Sequence, residues 1–287
     1  MRVYDDRPCE LGEGLLWHPE RQQLFWFDIL NCKLLTRTAQ GYQHEWRFDE
    51  YVSAAGWIDQ STLLIAGETG LYRFDLDGGK TERLCDLEAD NPLTRSNDGR
   101  ADPWGGFWVG TMGKHAEPEA GAIYRFYRGE IRRLITTVTI PNAICFSPQG
   151  EYVYFADTAV GVIWRQRLNA VDGWPEGEPE LFINCAEQGL NPDGAVSDIQ
   201  GRLWNAQWGA SRVTCYDCHG AIESTITLPA SQITCPAFGG PDMRTLFVTS
   251  ARELLSELAL VQQPDAGKVF SIQTDTIGRE EPRVRFI

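Results

Sequence analysis

The chain lacks long apolar runs and has few basic residues. No stretch of about 18 consecutive apolar residues occurs, so no transmembrane helix is predicted. The first ten residues, MRVYDDRPCE, contain acids and no apolar core, which argues against a secretory signal and predicts a cytoplasmic protein. Lysine and arginine number 26 against 40 acidic residues, a formal charge of −14. This balance argues against nucleic acid and an anionic membrane surface as partners.

The signatures of several catalytic classes are also missing. The four histidines form no H-E-x-x-H motif and share no repeat position, so each is expected in a turn or on the surface. No G-x-S-x-G nucleophile elbow occurs, and Gly67–Gly70 follows a strand-like run without opening a helix, as a phosphate loop would. Covalent catalysis by serine or cysteine therefore has little support, and metal-activated water is the favoured chemistry.

Eight cysteines are scattered along the chain rather than clustered. Since no export signal is present, they are expected to be free thiols in a reducing compartment. The stretch Cys215–His219 matches the C-x-x-C-H pattern of haem attachment, but covalent haem needs export and this motif falls within a strand-like repeat. No second C-x-x-C pairs with it to form a zinc site. Neither a covalently attached haem nor a zinc site is therefore predicted.

What the chain does contain is a sixfold repeat. With 43% hydrophobic and 23% charged residues it is typical of a globular protein with a substantial core. Six segments align, with starts about 40 to 51 residues apart, the range of propeller blades. They are EGLLWHPERQQLFWFDI from Glu13, SAAGWIDQSTLLIAGET from Ser53, NDGRADPWGGFWVGTMG from Asn97, NAICFSPQGEYVYFADT from Asn142, DGAVSDIQGRLWNAQWG from Asp193 and CPAFGGPDMRTLFVTSA from Cys235.

Each unit has an apolar strand, a turn and a strand rich in aromatic and β-branched residues, and several continue into a third and fourth strand. Four strands in each of six units predict an all-β fold, a six-bladed β-propeller of antiparallel strands in one domain, residues 1–287. Two β-sandwiches would not explain the spacing. We expect Arg2–Asp5 to close the ring by pairing with the last blade, and Leu254–Leu260 to be a loop insertion there.

One repeat position carries the candidate chemistry. The first strand of each propeller blade lines the central channel, so the residues opening the six units should form a ring at one depth. Four of them are oxygen donors, Glu13, Asn97, Asn142 and Asp193. Such donors could simply cap strand ends in a wet channel. Four at one repeat position instead favour a central site for a hard divalent cation.

At these residues the chain resembles the SMP-30/gluconolactonase/regucalcin family. The matching stretches run in order along nearly the whole chain. They are LGEGLLWHP at Leu11–Pro19, RSNDGRADPWG at Arg95–Gly105, WVGTM at Trp108–Met112, PNAICFSPQG and YVYFADT between Pro141 and Thr158, NPDGAVSDIQGRLWNAQW at Asn191–Trp208, and QPDAGKVF at Gln263–Phe270.

The resemblance implies a six-bladed propeller with one divalent metal ion that hydrolyses sugar lactones. Carried over by motif, the metal ligands are Glu13, Asn142 and Asp193. The substrate-binding arginine and asparagine fall on Arg95 and Asn97. The resemblance also implies a substrate-binding acid at Glu117, where the loop differs from that of animal members and leaves Glu119 and His115 as competitors.

The hypothesis for the mechanism is that the metal polarises the lactone carbonyl while Asp193, as catalytic base, activates the attacking water. The product is the aldonic acid. The choice among Ca, Zn, Mg and Mn stays open, as do the particular sugar lactone, any extra anionic group on it, and the oligomeric state.

Two other functions stay open. A propeller of this kind could be a non-catalytic calcium- or ligand-binding scaffold, which metal depletion would distinguish from a lactonase. It could also be a propeller esterase or phosphotriesterase, which a mostly apolar pocket would favour.

Overall fold

A computed structural model describes residues 1–286, so that Ile287, the last residue of the predicted domain, lies outside the described residues. Within that range, 24 strands form six separate four-stranded antiparallel sheets, the blades of a six-bladed β-propeller. The fold prediction is therefore confirmed. No helix among these residues is long and apolar enough to cross a membrane. Their eight cysteines are all free.

The strands are numbered in chain order, and the first strand of the chain is β1 (Arg2–Asp5). Blade 1 contains β2 (Gly12–His18), β3 (Gln23–Asp28), β4 (Lys33–Arg37) and β5 (Gln43–Arg47). Blade 2 contains β6 (Val52–Asp59), β7 (Thr62–Gly67), β8 (Gly70–Asp75) and β9 (Thr81–Asp86). Blade 3 contains β10 (Thr94–Ala101), β11 (Phe107–Gly113), β12 (Gly121–Tyr127) and β13 (Glu130–Val138).

The second half of the ring repeats this arrangement. Blade 4 contains β14 (Pro141–Phe146), β15 (Tyr152–Asp157), β16 (Val162–Leu168) and β17 (Pro175–Asn184). Blade 5 contains β18 (Asn191–Ser197), β19 (Leu203–Trp208), β20 (Arg212–Tyr216) and β21 (Ile222–Thr227). Blade 6 contains β22 (Ile233–Gly239), β23 (Thr245–Ser250), β24 (Val269–Gln273) and β1 as its outermost strand.

The hydrophobic core lies between neighbouring blades. Strand β3 is buried along its whole length because its two faces pack against different blades. Phe25 and Phe27 belong to the cluster shared with blade 2, whereas Leu24 and Trp26 belong to the cluster shared with blade 6. Since side chains alternate across a strand, a continuous apolar run is what such two-sided burial requires.

The ring closes as predicted, with β1 antiparallel to β24. Arg2 pairs with Ser271 and Val3 with Phe270. Blade 6 is thus built from both ends of the described chain, and the closing strand prevents the outer edge of β24 from being left unpaired.

The insertion in the last blade contains a short helix, α1 (Glu257–Gln262). The side chain of Ser256 caps it by accepting a hydrogen bond from the backbone N–H of Ala259. The predicted insertion is confirmed, but the expectation of a loop over Leu254–Leu260 is wrong for its second half, because α1 begins at Glu257. Two 3₁₀ turns, Ile29–Asn31 and Ala186–Gln188, complete the regular structure described.

The segment after β24 was not anticipated. It crosses one end of the channel and bonds to several blades, since Ile199 donates to the Ile277 carbonyl and Val284 to the Trp57 carbonyl. Glu281 of this segment is buried and forms an ion pair with Arg100 of β10. The C-terminal segment therefore closes this end of the channel.

The expected position of one histidine is wrong. His18 ends β2 and is buried, with Nε2 3.0 Å from the Asp59 carbonyl oxygen and Nδ1 accepting from the backbone N–H of Arg21 at 3.3 Å. Both ring nitrogens therefore have backbone partners, the Asp59 carbonyl and the Arg21 N–H. A search for sequence motifs cannot reveal such contacts. His44, His115 and His219 are exposed, as expected.

Candidate active site

Each of the six inner strands is irregular at the predicted ring position. Pairing with the next strand shifts register between Glu13 and Leu16 in β2, between Asn142 and Cys145 in β14, and between Pro192 and Ala195 in β18. Equivalent shifts occur in β6, β10 and β22. A β-bulge bends the strand and redirects a side chain. An irregularity at this repeat position therefore recurs in all six blades.

Four ring residues line a single cavity of about 520 Å³: Glu13, Asn97, Asn142 and Asp193. Arg95 lies in the same wall. The other two ring residues are not among the lining residues. Ser53 is buried and donates to the Ser96 hydroxyl at 2.8 Å, and Cys235 is buried. The structure thus brings together five of the six residues predicted for metal or substrate.

Glu13 and Asp193 form a buried carboxyl pair. Burial raises the pKa of each carboxyl group, and the negative charges of Glu13 and Asp98 raise the pKa of Asp193 further. Each also accepts a hydrogen bond from the backbone N–H that follows it, Gly14 at 3.2 Å and Gly194 at 3.0 Å. Two adjacent buried carboxylates are costly to ionise together unless a positive charge joins them.

Asn142 is held in a fixed orientation beside this pair. Its Nδ2 donates to Thr158 Oγ1 at 2.8 Å, and that hydroxyl donates to the Pro192 carbonyl at 2.6 Å. The Oδ1 atom of Asn142 accepts from Nδ2 of Asn97 at 3.3 Å. Since the amide nitrogen only donates, Oδ1, which keeps a second lone pair beside its bond from Asn97, is the atom that Asn142 could offer to a cation.

The donor set fits a hard divalent cation. It offers two carboxylates and one amide oxygen, the ligand types that such cations bind. Residues 1–286 contain no cluster of three or more histidine, cysteine, aspartate or glutamate side chains that could hold a metal. The predicted site thus depends on Asn142 as its third ligand.

Arg95 and Asn97 form a polar unit in the cavity wall. Nη1 of Arg95 donates to the Ser96 carbonyl and to Oδ1 of Asn97, both at 2.9 Å. Nδ2 of Asn97 donates to the Pro141 carbonyl at 3.0 Å. Burial lowers the pKa of the Arg95 guanidinium, and the nearby acids oppose this effect. The two side chains are thus fixed before a ligand arrives.

Glu117 lies outside the lining of the cavity. Its carboxylate accepts a hydrogen bond from the backbone N–H of His115 at 3.0 Å, an interaction that folds the loop on itself. His115, named as a competitor in the sequence analysis, does line the cavity, and Glu119 does not. The structure therefore does not bring Glu117 to the place that the resemblance implied, because the carboxylate caps its own loop.

Sequence reasoning missed several residues of the site. Thr158 orients Asn142, and Lys114 and Glu253 line the cavity. Lys114 forms an ion pair with Glu68. Asp98 is buried beside the carboxyl pair and accepts from the Ile144 N–H at 2.7 Å. The sequence could have pointed to Asp98, because this residue directly follows Asn97. It gave no such signal for Lys114 and Glu253, which lie outside the aligned repeat segments.

The chain is similar to known proteins of one family. Residues 11–252 match the family model described as SMP-30/Gluconolactonase/LRE-like region. The chain belongs to this family. The resemblance drawn from the sequence is thus confirmed, and the match includes the strands that carry Glu13, Asn142 and Asp193.

Several members of the SMP-30/gluconolactonase family are similar over nearly their full length. A putative sugar lactone lactonase of Rhizobium meliloti is 38% identical, covering 99% of this chain and 97% of the relative. The 6-deoxy-6-sulfogluconolactonase of Pseudomonas putida is 34% identical, covering 96% and 95%. A crystal structure of a calcium-binding protein, regucalcin, from Agrobacterium tumefaciens has a TM-score of 0.97 and 41% identity, covering 99% and 97%.

Proposed function

We propose that this protein is a sugar lactonase that hydrolyses an aldonolactone to the aldonic acid, with a divalent metal held by Glu13, Asn142 and Asp193. The observation that supports it most is the buried carboxyl pair at a cavity whose wall also presents Arg95 and Asn97. The names of similar family members, which include a sulfogluconolactonase and an L-arabinolactonase, support the same substrate class.

Oxygen ligands accept Ca, Mg, Mn and Zn to different degrees, so the donor set alone leaves the metal open. The calcium-binding regucalcin structure supports calcium as one candidate. When bound, a divalent cation would polarise the lactone carbonyl and offset the charge that develops on its oxygen. Glu13, Asn142 and Asp193 hold their oxygens in place for it through bulged strands and the Thr158 hydrogen bond.

Asp193 is the proposed general base. The Gly194 N–H holds its Oδ1 atom, and the other carboxylate oxygen would take the proton from the attacking water. The same oxygen can return that proton to the ring oxygen as the C–O bond breaks, which leaves a free hydroxyl and a carboxylic acid, and the acid then releases its own proton to the solvent to give the carboxylate.

Arg95 and Asn97 are proposed to bind the sugar. The guanidinium has Nε and Nη2 available for hydroxyl or carbonyl oxygens, because its protein hydrogen bonds use Nη1. Glu117 would act indirectly, by fixing the loop that places Lys114 and His115 in the cavity wall.

A calcium-binding protein without catalytic activity is the second candidate, because the similar Agrobacterium structure is described as calcium-binding. It predicts cation binding with no lactone opening. An esterase or phosphotriesterase for apolar substrates is less favoured, since Arg95, Asn97 and the two carboxyl groups occupy one part of the cavity.

The test is acid release from a panel of pentono- and hexonolactones, each assayed with Ca, Mg, Mn and Zn and followed with a pH indicator. We expect at least one lactone to be opened. Asp193→Ala should lower kcat/KM by about 10²–10⁴-fold, because it removes both a ligand and the base. Asp217→Ala, in an exposed turn, is the matched control. Failure to open any lactone, or a near-normal rate for Asp193→Ala, would contradict the proposal.

A further inference from the structure

Glu253 is a charged residue in the cavity wall that the mechanism above does not use. It lies in the connection between β23 and β24, outside the aligned repeat segments. The backbone N–H groups of Arg252 and Glu253 both donate to the Glu10 carbonyl, at 3.0 and 2.9 Å. These two bonds fix the start of the insertion against the segment that leads into blade 1, so the carboxylate is presented from a firmly held backbone.

Among the residues that the structure describes, none is a hydrogen-bonding or ion-pair partner of the Glu253 carboxylate. Within residues 1–286 it forms no ion pair within 4.0 Å and accepts no hydrogen bond, although the side chain is half-buried and lines the same cavity as Arg95. Burial raises its pKa, and the positive charge of Arg95 opposes that effect. Two opposite charges thus face one cavity without direct contact, each with free hydrogen-bonding capacity.

The other positively charged side chain of the cavity wall, that of Lys114, already has an acidic partner. Lys114 pairs with Glu68, and its Nζ lies 5.9 Å from the centre of the Tyr51 ring. Arg95 and Lys114 are therefore balanced by Glu253 and Glu68. Since the chain as a whole carries −14, no surplus positive charge is left in the wall to receive a second anionic group on a ligand.

We propose that Glu253 is a specificity-determining residue that accepts a hydrogen bond from a hydroxyl of a neutral polyhydroxylated lactone and rejects lactones bearing a phosphate, sulfonate or second carboxylate. This inference rests on the proposed lactonase function. A hydroxyl supplies the donor that the carboxylate lacks, and hydrogen bonds to an ionised acceptor are the stronger kind. An anionic substituent brings like charge against a half-buried carboxylate, which costs binding energy.

The test compares kcat/KM for D-glucono-1,5-lactone and its 6-phosphate in the metal-loaded wild-type protein, Glu253→Gln and Glu257→Gln. We expect the wild type to prefer the neutral lactone by about tenfold or more. Glu253→Gln keeps the shape but removes the charge. It should shift the preference toward the phosphate by about tenfold, mainly through KM, and raise KM for the neutral lactone about threefold or more.

Glu257 is exposed in the first turn of α1 and is the matched control, so its variant should behave as wild type. Added salt should weaken the discrimination of the wild type, since charge repulsion is screened. Equal use of both lactones by the wild type, or an unchanged ratio in a folded Glu253→Gln, would overturn the inference while leaving the lactonase function intact. If neither lactone nor any other is opened, the proposed function fails and this inference with it.

Discussion

The carboxyl groups of Glu13 and Asp193 determine the electrostatics of the cavity floor. Burial and the charge of Glu13 raise the pKa of Asp193, and burial raises that of Glu13, so the free-energy cost of ionising both carboxyl groups is high unless a cation lies beside them. A bound divalent cation would offset that cost. The same residues thus explain why a metal should bind here and why a base should be available beside it.

A different residue gives a prediction for stability against pH. The His18 ring donates from Nε2 to the Asp59 carbonyl and accepts at Nδ1, an arrangement that requires the neutral ring. Burial, with the charge of Arg21 adding to it, lowers its pKa in the folded protein below the ordinary value of about 6.5. The unfolded chain then binds more protons below pH 6.5, so this contribution to stability is present above that pH and is lost as the pH falls.

We therefore expect His18→Gln to cost about 1–3 kcal/mol of unfolding free energy at pH 7.5, because buried polar partners are lost, and to cost less at pH 5. Urea unfolding of both proteins at the two pH values measures this. His44→Gln, at an exposed position, should change stability by less than about 0.5 kcal/mol at either pH. A cost for His18→Gln that does not shrink at pH 5 would show that His18 titrates normally.

At the residue scale, prediction from sequence succeeded where a residue occupies a repeated position. Glu13, Asn97, Asn142 and Asp193 were found because their strands are equivalent, and the structure brings them to one cavity. Glu117 is different, since it lies in a connecting loop whose own hydrogen bonds decide where the carboxylate points. Glu253 lies in an insertion without a counterpart in the other blades, so no alignment within the chain could place it.

Among the elements, the inner strands are the ones that shape the site. Their bulges lie where polar side chains line the cavity in blades 1, 3, 4 and 5, whereas the equivalent residues of blades 2 and 6, Ser53 and Cys235, do not line it. The residue that follows the proposed ligand adopts a left-handed conformation in two of them, Gly14 with φ +59° and Ala143 with φ +55°. Strand β2 uses glycine there because the neighbouring strand is too close for a side chain.

Gly14→Ala should therefore be strongly destabilising. A Cβ at Gly14 would lie 2.1 Å from the Ser53 carbonyl oxygen, whereas one at Gly129, which has φ +78°, would have nothing within 4 Å. We expect Gly14→Ala to cost about 2–5 kcal/mol, the sum of steric overlap and a left-handed alanine, and Gly129→Ala about 1–2 kcal/mol. Chemical denaturation of both variants measures the difference. Equal costs would show that the close approach of β2 and β6 is unimportant.

In the whole molecule, the interfaces between neighbouring blades form a closed ring. Each blade packs against its two neighbours through apolar clusters such as the one that joins blades 6 and 1 around Trp26 and Phe247. At the closed end of the channel, Arg100 donates to the Ile144 and Ala195 carbonyls, both at 3.1 Å, and pairs with Glu281. One buried side chain thereby joins blades 3, 4 and 5 to the C-terminal segment.

The sequence predicted this architecture because the number of repeat units gives the number of blades. The strand patterns within a unit indicate that each blade is a four-stranded sheet. Ring closure by β1 followed from the same reasoning. The C-terminal segment could not be predicted in this way. Residues 277–286 include no strand and match no repeat unit, and their position depends on scattered backbone hydrogen bonds to several blades.

The central claim concerns three of these blades at once, since the proposed ligands come from blades 1, 4 and 5. The measurement that tests it most directly is the rate of aldonolactone hydrolysis by chelator-treated protein as a divalent cation is added back. We expect the stripped protein to stay folded by circular dichroism and to keep less than about 1% of the rate. Activity should return in proportion to bound metal and saturate at about one ion per chain. A full rate in stripped, folded protein that contains well under about one-tenth of an ion per chain would contradict the account.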